Sequence, residues 1–360
     1  VRILQLIAGL DPRAGGPSKV IRELSARLVT AGHEVELLTT DAVGGTERAD
    51  LPCGARWHED GYLLRVHRSD LTRPPYPSWR LAQDLWRRAR DFDVAHVHGL
   101  FSLPVSAGAS ILRARGVPYI VRTCGMLDPW SMTQRRALKR AYYAAWERRN
   151  LLGAARIQVS TSMEARALAA LGFSDRVRVL AQGVDAPASP PPSTGRPEGR
   201  PYVLFLSRVA RKKGLVPLVA AFAQLAPRYP ELDLVIAGPD EYGHRAEVAS
   251  AALAAGLGDR VRFPGMVSGE DKWRRFAEAR AFALPSLDEN FGVVVVEAAS
   301  AGVPVVVSEH VGLCDAVRAH GAGEVCAVEA ASVARALDTV LSRGRPHYAD
   351  GLAALARDHR

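Results

Sequence analysis

The sequence predicts an α/β protein with two doubly wound parallel sheets, one in each half of the chain. Three observations carry that expectation. Short apolar, β-branched runs alternate with longer Ala/Leu/Arg-rich stretches, the rhythm of β-α-β units whose strands are covered on both faces. The rhythm breaks at the chain's most Pro/Ser/Gly-rich stretch, Ala186 to Pro201, and then restarts. The length of 360 residues suits two domains at roughly 100–200 residues each, with ample chain to bury a core. Residues 1–185 are therefore assigned to a first domain, 186–201 to a linker and 202–360 to a second domain.

The elements follow in order. Arg2–Ile7 is too short for a signal peptide's apolar core, and no convincing cleavage site precedes Asp11, so it reads as a buried first strand. The chain opens on Val1 instead of Met, which points to a missing N-terminus. Ser18–Ala31 is a helix that Ser18 can cap, and Glu34–Thr39 is the next strand. Val94–Val97 and Tyr119–Arg122 are strands with the helix Pro104–Arg115 between them, and Ile157–Ser160 and Arg178–Leu180 close the half. After the linker come the strands Tyr202–Leu206, Asp233–Ala237, Val261–Phe263, Ala281–Leu284 and Val305–Val307. The helices Val216–Ala226, Arg245–Ala255, Glu270–Ala279 and Val293–Ala301 lie between them. Ligands bind such sheets at the carboxyl ends of strands. Two such domains facing each other make an interdomain cleft, and a linker of this composition permits hinge closure.

Composition narrows the class. A hydrophobic share of 48% and a charged share of 24% exclude disorder and low-complexity classes. No run approaches the ~20 apolar residues of a membrane helix; the richest, Phe291 to Gly312, is interrupted by Glu297, Glu309 and His310. Cys53, Cys124, Cys314 and Cys326 form no C-x-x-C pair and no zinc site, so they read as reduced thiols of a cytoplasmic protein. The net charge is +9, and Val1 to Gln182 holds 27 Lys+Arg against 17 Asp+Glu, so the whole excess lies in the first half. A basic half suits an anionic membrane surface, a diphosphate-bearing substrate or nucleic acid, or reflects only a coding bias towards Arg.

Five segments are candidate sites. Asp11 to Ser18 carries Gly15 and Gly16, which let backbone approach a ligand ahead of a helix N-terminus that suits phosphate. It is not a G-x-G-x-x-G fingerprint, and an ordinary strand-to-helix turn reads the same way. Ser207 to Gly214 follows a strand directly, and its Arg208 and Lys213 can neutralise a diphosphate, or form a solvated basic turn. Pro285 to Gly292 is the strongest: Asn290 and Gly292 permit a tight loop that aims N–H groups at an anion. Glu289 precedes the following helix and Glu297 lies inside it among valines and alanines, where a charge is costly unless paired or bound. His96 and His98 share one strand face by alternation, with His98 at the strand end towards the expected cleft and His96 suited to a structural role. Thr123 to Trp130 leads into a helix where Arg135, Arg136, Lys139, Arg140, Arg148 and Arg149 interleave with Tyr142, Tyr143 and Trp146. That helix can lie at a membrane interface, or bury one aromatic face and solvate the other.

Together these motifs resemble the retaining, metal-independent glycosyltransferases of family four, with the GT-B fold of two facing Rossmann-like domains, over nearly the whole chain. Glu289 to Glu297 resembles the family's E-x7-E motif, set in Asn-Phe-Gly and Ala-Gly-Val-Pro-Val-Val. Ser-Arg-Val…Lys-Lys-Gly resembles its diphosphate-binding segment, Gly-Gly-Pro-Ser its first-domain phosphate loop, and Gln182-Gly183-Val184-Asp185 its turn before the hinge. The resemblance implies that Arg208 and Lys213 bind the donor diphosphate and that Glu297 holds the ribose. It implies that Glu289, with the backbone of Asn290, Phe291 and Gly292, holds the transferred sugar and leaving phosphate. Gly265-Met266-Val267 resembles the nucleobase loop, which places Met266 and Val267 on the donor. Thr-Cys-Gly-Met-Leu-Asp-Pro-Trp resembles a subgroup that builds bacterial surface polysaccharides, with Cys124 and Asp128 on the acceptor side. Many relatives carry His where this chain has Cys124, and His98 is the substitute catalytic candidate. Relatives also continue past the position of Arg360 into a helix that crosses back onto the first domain, which implies a trimmed copy.

The expected reaction is retaining transfer of a hexose from a UDP- or GDP-sugar to a glycan or lipid-diphosphate-linked glycan, at the inner face of the plasma membrane. No cofactor and no metal are expected, since no Asp-x-Asp motif is evident and the two cations take the role of a divalent ion. The alternatives are a sugar-nucleotide epimerase, a sugar-nucleotide binder without catalysis, and a nucleic-acid-binding protein. The last lacks a helix-turn-helix or an RNA-reading aromatic motif, so no nucleic-acid partner is expected.

Overall fold

The apolar runs of the two halves become two separate sheets in the computed structural model, which describes residues 1–10, 16–43, 48–185 and 199–359. The chain divides into compact units Val1–Leu180 and Ala181–Arg360. The linker assignment falls largely on 186–198, outside the described residues.

The first unit holds β1 Arg2–Gly9, β2 Glu34–Thr40, β3 Gly54–Trp57, β4 Leu63–His67, β5 Val94–His98, β6 Tyr119–Arg122, β7 Arg156–Val159 and β8 Val177–Val179. Their order is β3-β4-β2-β1-β5-β6-β7-β8, with every pair parallel except β3 against β4. Two apolar cores cover it. One gathers Leu4, Leu6, Val97, Leu112, Val121 and Leu151, the other Ile3, Ile7, Ile21, Leu37 and Val66. Alternate residues of β1 thus serve opposite faces, as the period of two requires.

The second unit holds β9 Tyr202–Leu206, β10 Asp233–Ala237, β11 Val261–Gly265, β12 Ala281–Leu284, β13 Val305–Ser308 and β14 Gly323–Cys326, ordered β11-β10-β9-β12-β13-β14 and parallel throughout. All residues of β9, β10, β12 and β13 are buried, which is why these runs are apolar without alternation.

Each sheet reverses its strand order beside the first strand of its unit. In the first unit the reversal lies between β1 and β5, in the second between β9 and β12. Loops leaving the carboxyl ends of the two strands diverge there and open a crevice for ligands. The loop after β9 carries Arg208 and Lys213, and the loop after β12 carries Glu289. The two strongest sequence candidates therefore flank the second unit's switch point.

The predicted strands Tyr119–Arg122, Tyr202–Leu206, Asp233–Ala237 and Ala281–Leu284 have the observed bounds. The sequence pattern does not announce β3, β4, β14, the helices Trp79–Arg88, Ser162–Ala170 and Cys314–His320, or the closing helices Ala330–Arg343 and Arg345–Arg357. β3 is exposed along its length, and β4 carries Arg65 and His67 among its apolar residues. Both side chains find distant partners, Arg65 in Glu36 at 2.7 Å and His67 in Asp84 at 3.2 Å.

Candidate active site

In the second unit the loop after β9 turns through a 3₁₀ segment, Arg211–Lys213, and enters the helix Leu215–Leu225 through Gly214. Gly214 has φ 67°, and a Cβ there would lie 2.0 Å from the Pro285 carbonyl oxygen. The close approach lets the Leu287 amide donate to the Lys212 carbonyl at 2.7 Å, joining this loop to the one after β12. Lys213, only 4% exposed, pairs with Glu289 across that junction. Glu289 is itself fixed from the far side: its amide donates to the His310 carbonyl at 3.0 Å and its carbonyl accepts from the Gly312 amide at 2.8 Å. Burial works to raise the Glu289 carboxyl, but Lys213, Lys212 and Arg208 outweigh it and hold it below the ordinary carboxylate value. The neighbouring Asp288, 3.6 Å from Lys212, is raised by burial and by Glu289.

Gly292, at φ 90°, starts the helix Val293–Ser300, and the Asn290 Oδ1 beside it is buried without a protein partner. Phe291 packs edge-on against His359 at 5.4 Å between centroids. Glu297 lies inside the helix, 4% exposed, and is neutralised by Lys272 at 2.8 Å. The charge is thus paired, as its apolar surroundings demand. Met266 is exposed and Val267 half-buried after β11; Met266, Asp240, Arg245, Phe263 and Gly265 help line a cavity of about 90 Å³. The structure therefore brings Arg208, Lys213 and Glu289 into one electrostatic cluster, with Glu297 farther along the same segment.

Sequence reasoning missed Lys272, Lys212 with Asp288, and Glu241, which pairs with Arg208 at 2.6 Å. A usable signal existed. The chain has only five lysines, Lys19, Lys139, Lys212, Lys213 and Lys272, in a composition that otherwise uses Arg. Three of the five stand in this site, where a compact charge fits a buried carboxylate.

In the first unit, Gly16 opens the helix Gly16–Thr30, while Gly15 lies outside the described residues. His98 ends β5 at the predicted place, with its ring 4.0 Å from that of His96. The expected opening towards a ligand is not observed: the ring is buried and its Nε2 shares a 2.7 Å hydrogen bond with Gln5 Oε1. Burial, with His96 and Arg122 adding to it, drives its pKa well down, and His96 falls to about 3 for the same first reason. Both shifts favour the neutral imidazole. Cys124 adopts a left-handed φ of 52°, and burial pushes its thiol up to about 11, so it is not a thiolate near neutrality. Its loop is organised by buried Glu164, which accepts from the Gly125 amide at 2.7 Å and the Ser160 amide at 2.9 Å. Asp128 is buried at the N-cap of the short helix Pro129–Thr133.

Comparison with known proteins fits this layout. Residues 15–183 match the family model described as a glycosyl transferase 4-like domain, and residues 190–350 match that of glycosyl transferases group 1. A D-inositol 3-phosphate glycosyltransferase from Frankia alni is 30% identical over 371 residues, covering 95% of this chain and 89% of that protein. The chain belongs to glycosyltransferase family four. A phosphatidyl-myo-inositol mannosyltransferase from Mycolicibacterium smegmatis is also 30% identical, over 82% of this glycosyltransferase and 72% of its own length. A GDP-mannose:cellobiosyl-diphosphopolyprenol alpha-mannosyltransferase from Xanthomonas campestris is 25% identical over 86% and 79%. The solved structure of a sucrose-phosphate synthase from Thermosynechococcus elongatus shares the fold with a TM-score of 0.72 at 21% identity, covering 99% of this chain and 93% of that one. The Anabaena Alr3699/HepE structure in complex with UDP and glucose has a TM-score of 0.74 at 18% identity, covering 99% and 95%. The enzyme is a glycosyltransferase with the GT-B fold.

Proposed function

We propose that this glycosyltransferase moves a hexose from a UDP- or GDP-sugar to a glycan or lipid-diphosphate-linked glycan in bacterial polysaccharide synthesis, with retention at the anomeric carbon. The observation that carries the reading is the cation cluster of Arg208 and Lys213 with Glu289 beside the second sheet's switch point, where a diphosphate finds charge-assisted donors. In the reaction the bond from the anomeric carbon to the diphosphate oxygen breaks. The acceptor hydroxyl forms the new bond on the same face, and its proton passes to the departing diphosphate. Arg208 and Lys213 stabilise the charge that develops there, without a metal cofactor. Glu289, kept ionised, orients the transferred sugar, Glu297 holds the ribose, and Met266 with Val267 borders the base. His98 is assigned to positioning through Gln5, because its ring is buried and its Nε2 is engaged by Gln5 Oε1.

Thermal-shift titration tests the donor. UDP- or GDP-hexose at a hundred times its dissociation constant should stabilise the protein by about 2.7 kcal/mol. Product analysis with and without acceptor then separates transfer from epimerisation. Failure of every UDP- and GDP-sugar to shift the midpoint rejects the reading.

The lipid-linked acceptor is supported by charge placement. Residues 94–163 hold ten Lys/Arg and only two acids, Asp128 and Glu147, both buried. A uniform coding bias would not concentrate the excess in this way. The helix Leu103–Ala114 packs beside Trp79–Arg88 and Arg148–Gly153. Trp79, Trp86 and Leu152 stand exposed on these helices with Arg80, Arg87 and Arg149, and Leu138 with Arg136 on the helix Arg136–Tyr142. Exposed Trp and Leu among arginines suit an anionic bilayer surface. Among the described residues no helix is long and apolar enough to cross one. Sedimentation with phosphatidylglycerol vesicles should retain the enzyme, and R87Q/R149Q should weaken partition by about 1 kcal/mol per charge, near thirtyfold together. Equal partition onto neutral vesicles would reject the surface.

A further inference from the structure

Arg208 meets a carboxylate that neither the candidate motifs nor the strand rhythm placed beside it. Glu241 lies in the loop after β10, 33 residues away, and its Oε1 is 2.6 Å from Arg208 Nη1. The backbone pins it there. The Glu241 amide donates to the Val209 carbonyl at 3.0 Å, and the Val209 amide donates to Pro239 at 2.8 Å. Gly238 lies so close to the first loop that a Cβ would come 1.9 Å from the Ser207 carbonyl oxygen. Tyr242 and Gly243 then turn the chain away with φ of 57° and 76°.

The pair differs from its two neighbours in exposure. Lys213 and Glu297 anchor their ion pairs from side chains that are almost wholly buried, whereas Arg208 and Glu241 keep side chains 35% and 28% exposed. A pair partly exposed to water is held less strongly than one shut away from it. The guanidinium can then offer its planar fork to a diphosphate, which accepts two parallel charge-assisted bonds. The Glu241 carboxylate has solvent to turn into, and its backbone need not move.

We propose that Glu241 is an exchangeable counterion for Arg208. It occupies the guanidinium in the empty enzyme, yields it to the nucleoside diphosphate moiety of the donor, and reclaims it as the nucleoside diphosphate product leaves. Glu241 thereby lowers affinity for the product and hastens its release. This rests on the reading of Arg208 as a diphosphate ligand.

Isothermal titration of UDP and GDP, with uridine and guanosine as controls, tests the exchange. Glu241→Gln should bind the diphosphate about fivefold more tightly than wild type, since a competing carboxylate is gone, and bind the nucleosides equally. Glu241→Ser should do the same, which guards against a fault peculiar to glutamine. In an Arg208→Ala background neither substitution should change affinity, because the competition has no object. Unchanged or weaker diphosphate binding in both Glu241 variants, with Arg208→Ala still weakening it tenfold or more, overturns the counterion role and leaves the diphosphate reading standing. Full diphosphate affinity in Arg208→Ala alone removes both.

Discussion

Lys213→Ala should lower sugar transfer about a hundredfold and destabilise the protein by an amount that shrinks as pH falls through the titration of Glu289. The rate follows from losing one charge-assisted contact to the leaving diphosphate, about 3 kcal/mol of barrier. Stability changes because Lys213 is the first of the opposing charges that hold the buried Glu289 carboxyl below its ordinary value. Breaking one partner out of a buried pair costs about 3–5 kcal/mol. In the wild type the depressed pKa contributes stability that is complete above the unfolded value and is lost as pH falls through the folded one. Without Lys213, burial is opposed only by Lys212 and Arg208, and the carboxyl moves up from its wild-type value. The loss relative to wild type is then full at neutral pH and shrinks on acidification, as the group takes up its proton. Urea denaturation at pH 7 and at pH 4 should show the deficit of the variant shrinking at the lower pH. A deficit that is constant with pH would remove Glu289 from the account.

Gly214→Ala should be nearly as damaging although it touches no ligand. Residue 214 has a left-handed φ, and its added Cβ would meet a backbone oxygen at 2.0 Å, which no side-chain rearrangement can relieve. The Pro285 carbonyl must retreat, or the turn Arg211–Lys213 must. Either movement breaks the Leu287 to Lys212 hydrogen bond and parts Lys213 from Glu289. Strain of this kind costs of order 1–3 kcal/mol, and a 1 Å displacement of a catalytic group costs about a hundredfold in rate. The expected result is a lower thermal midpoint together with a donor affinity that falls in step with turnover. Wild-type kinetics in Gly214→Ala would show that the two loops act independently.

The candidate site was legible where its chemistry is carried by adjacent residues. Arg208 and Lys213 stand directly after a recognisable strand, and Glu289 to Glu297 combine a turn with an apolar helix start. Each is local, so reading along the chain finds it. The partners were not legible. Lys272 meets Glu297 from 25 residues away, Glu241 meets Arg208 from 33, and Lys213 meets Glu289 from 76. His98 shows the converse: alternation placed its ring beside that of His96, yet nothing in the chain's pattern announced that Gln5, 93 residues earlier, would hold its Nε2. The five-lysine composition was the one nonlocal hint, and it indicates a kind of environment without naming a partner.

By itself the chain determined the two α/β halves, the strands buried on both faces, and the loops that bear cations and acids. Periodicity, turn residues and residue type act over a few positions and need no knowledge of the rest. Strand order belongs to the folded molecule. Only the sheet order β11-β10-β9-β12-β13-β14 puts the loops after β9 and β12 side by side and brings the loop after β10 to Arg208. Which charge neutralises which is settled by that packing, because a buried ion is stable only beside a partner that the fold, not the neighbouring sequence, delivers.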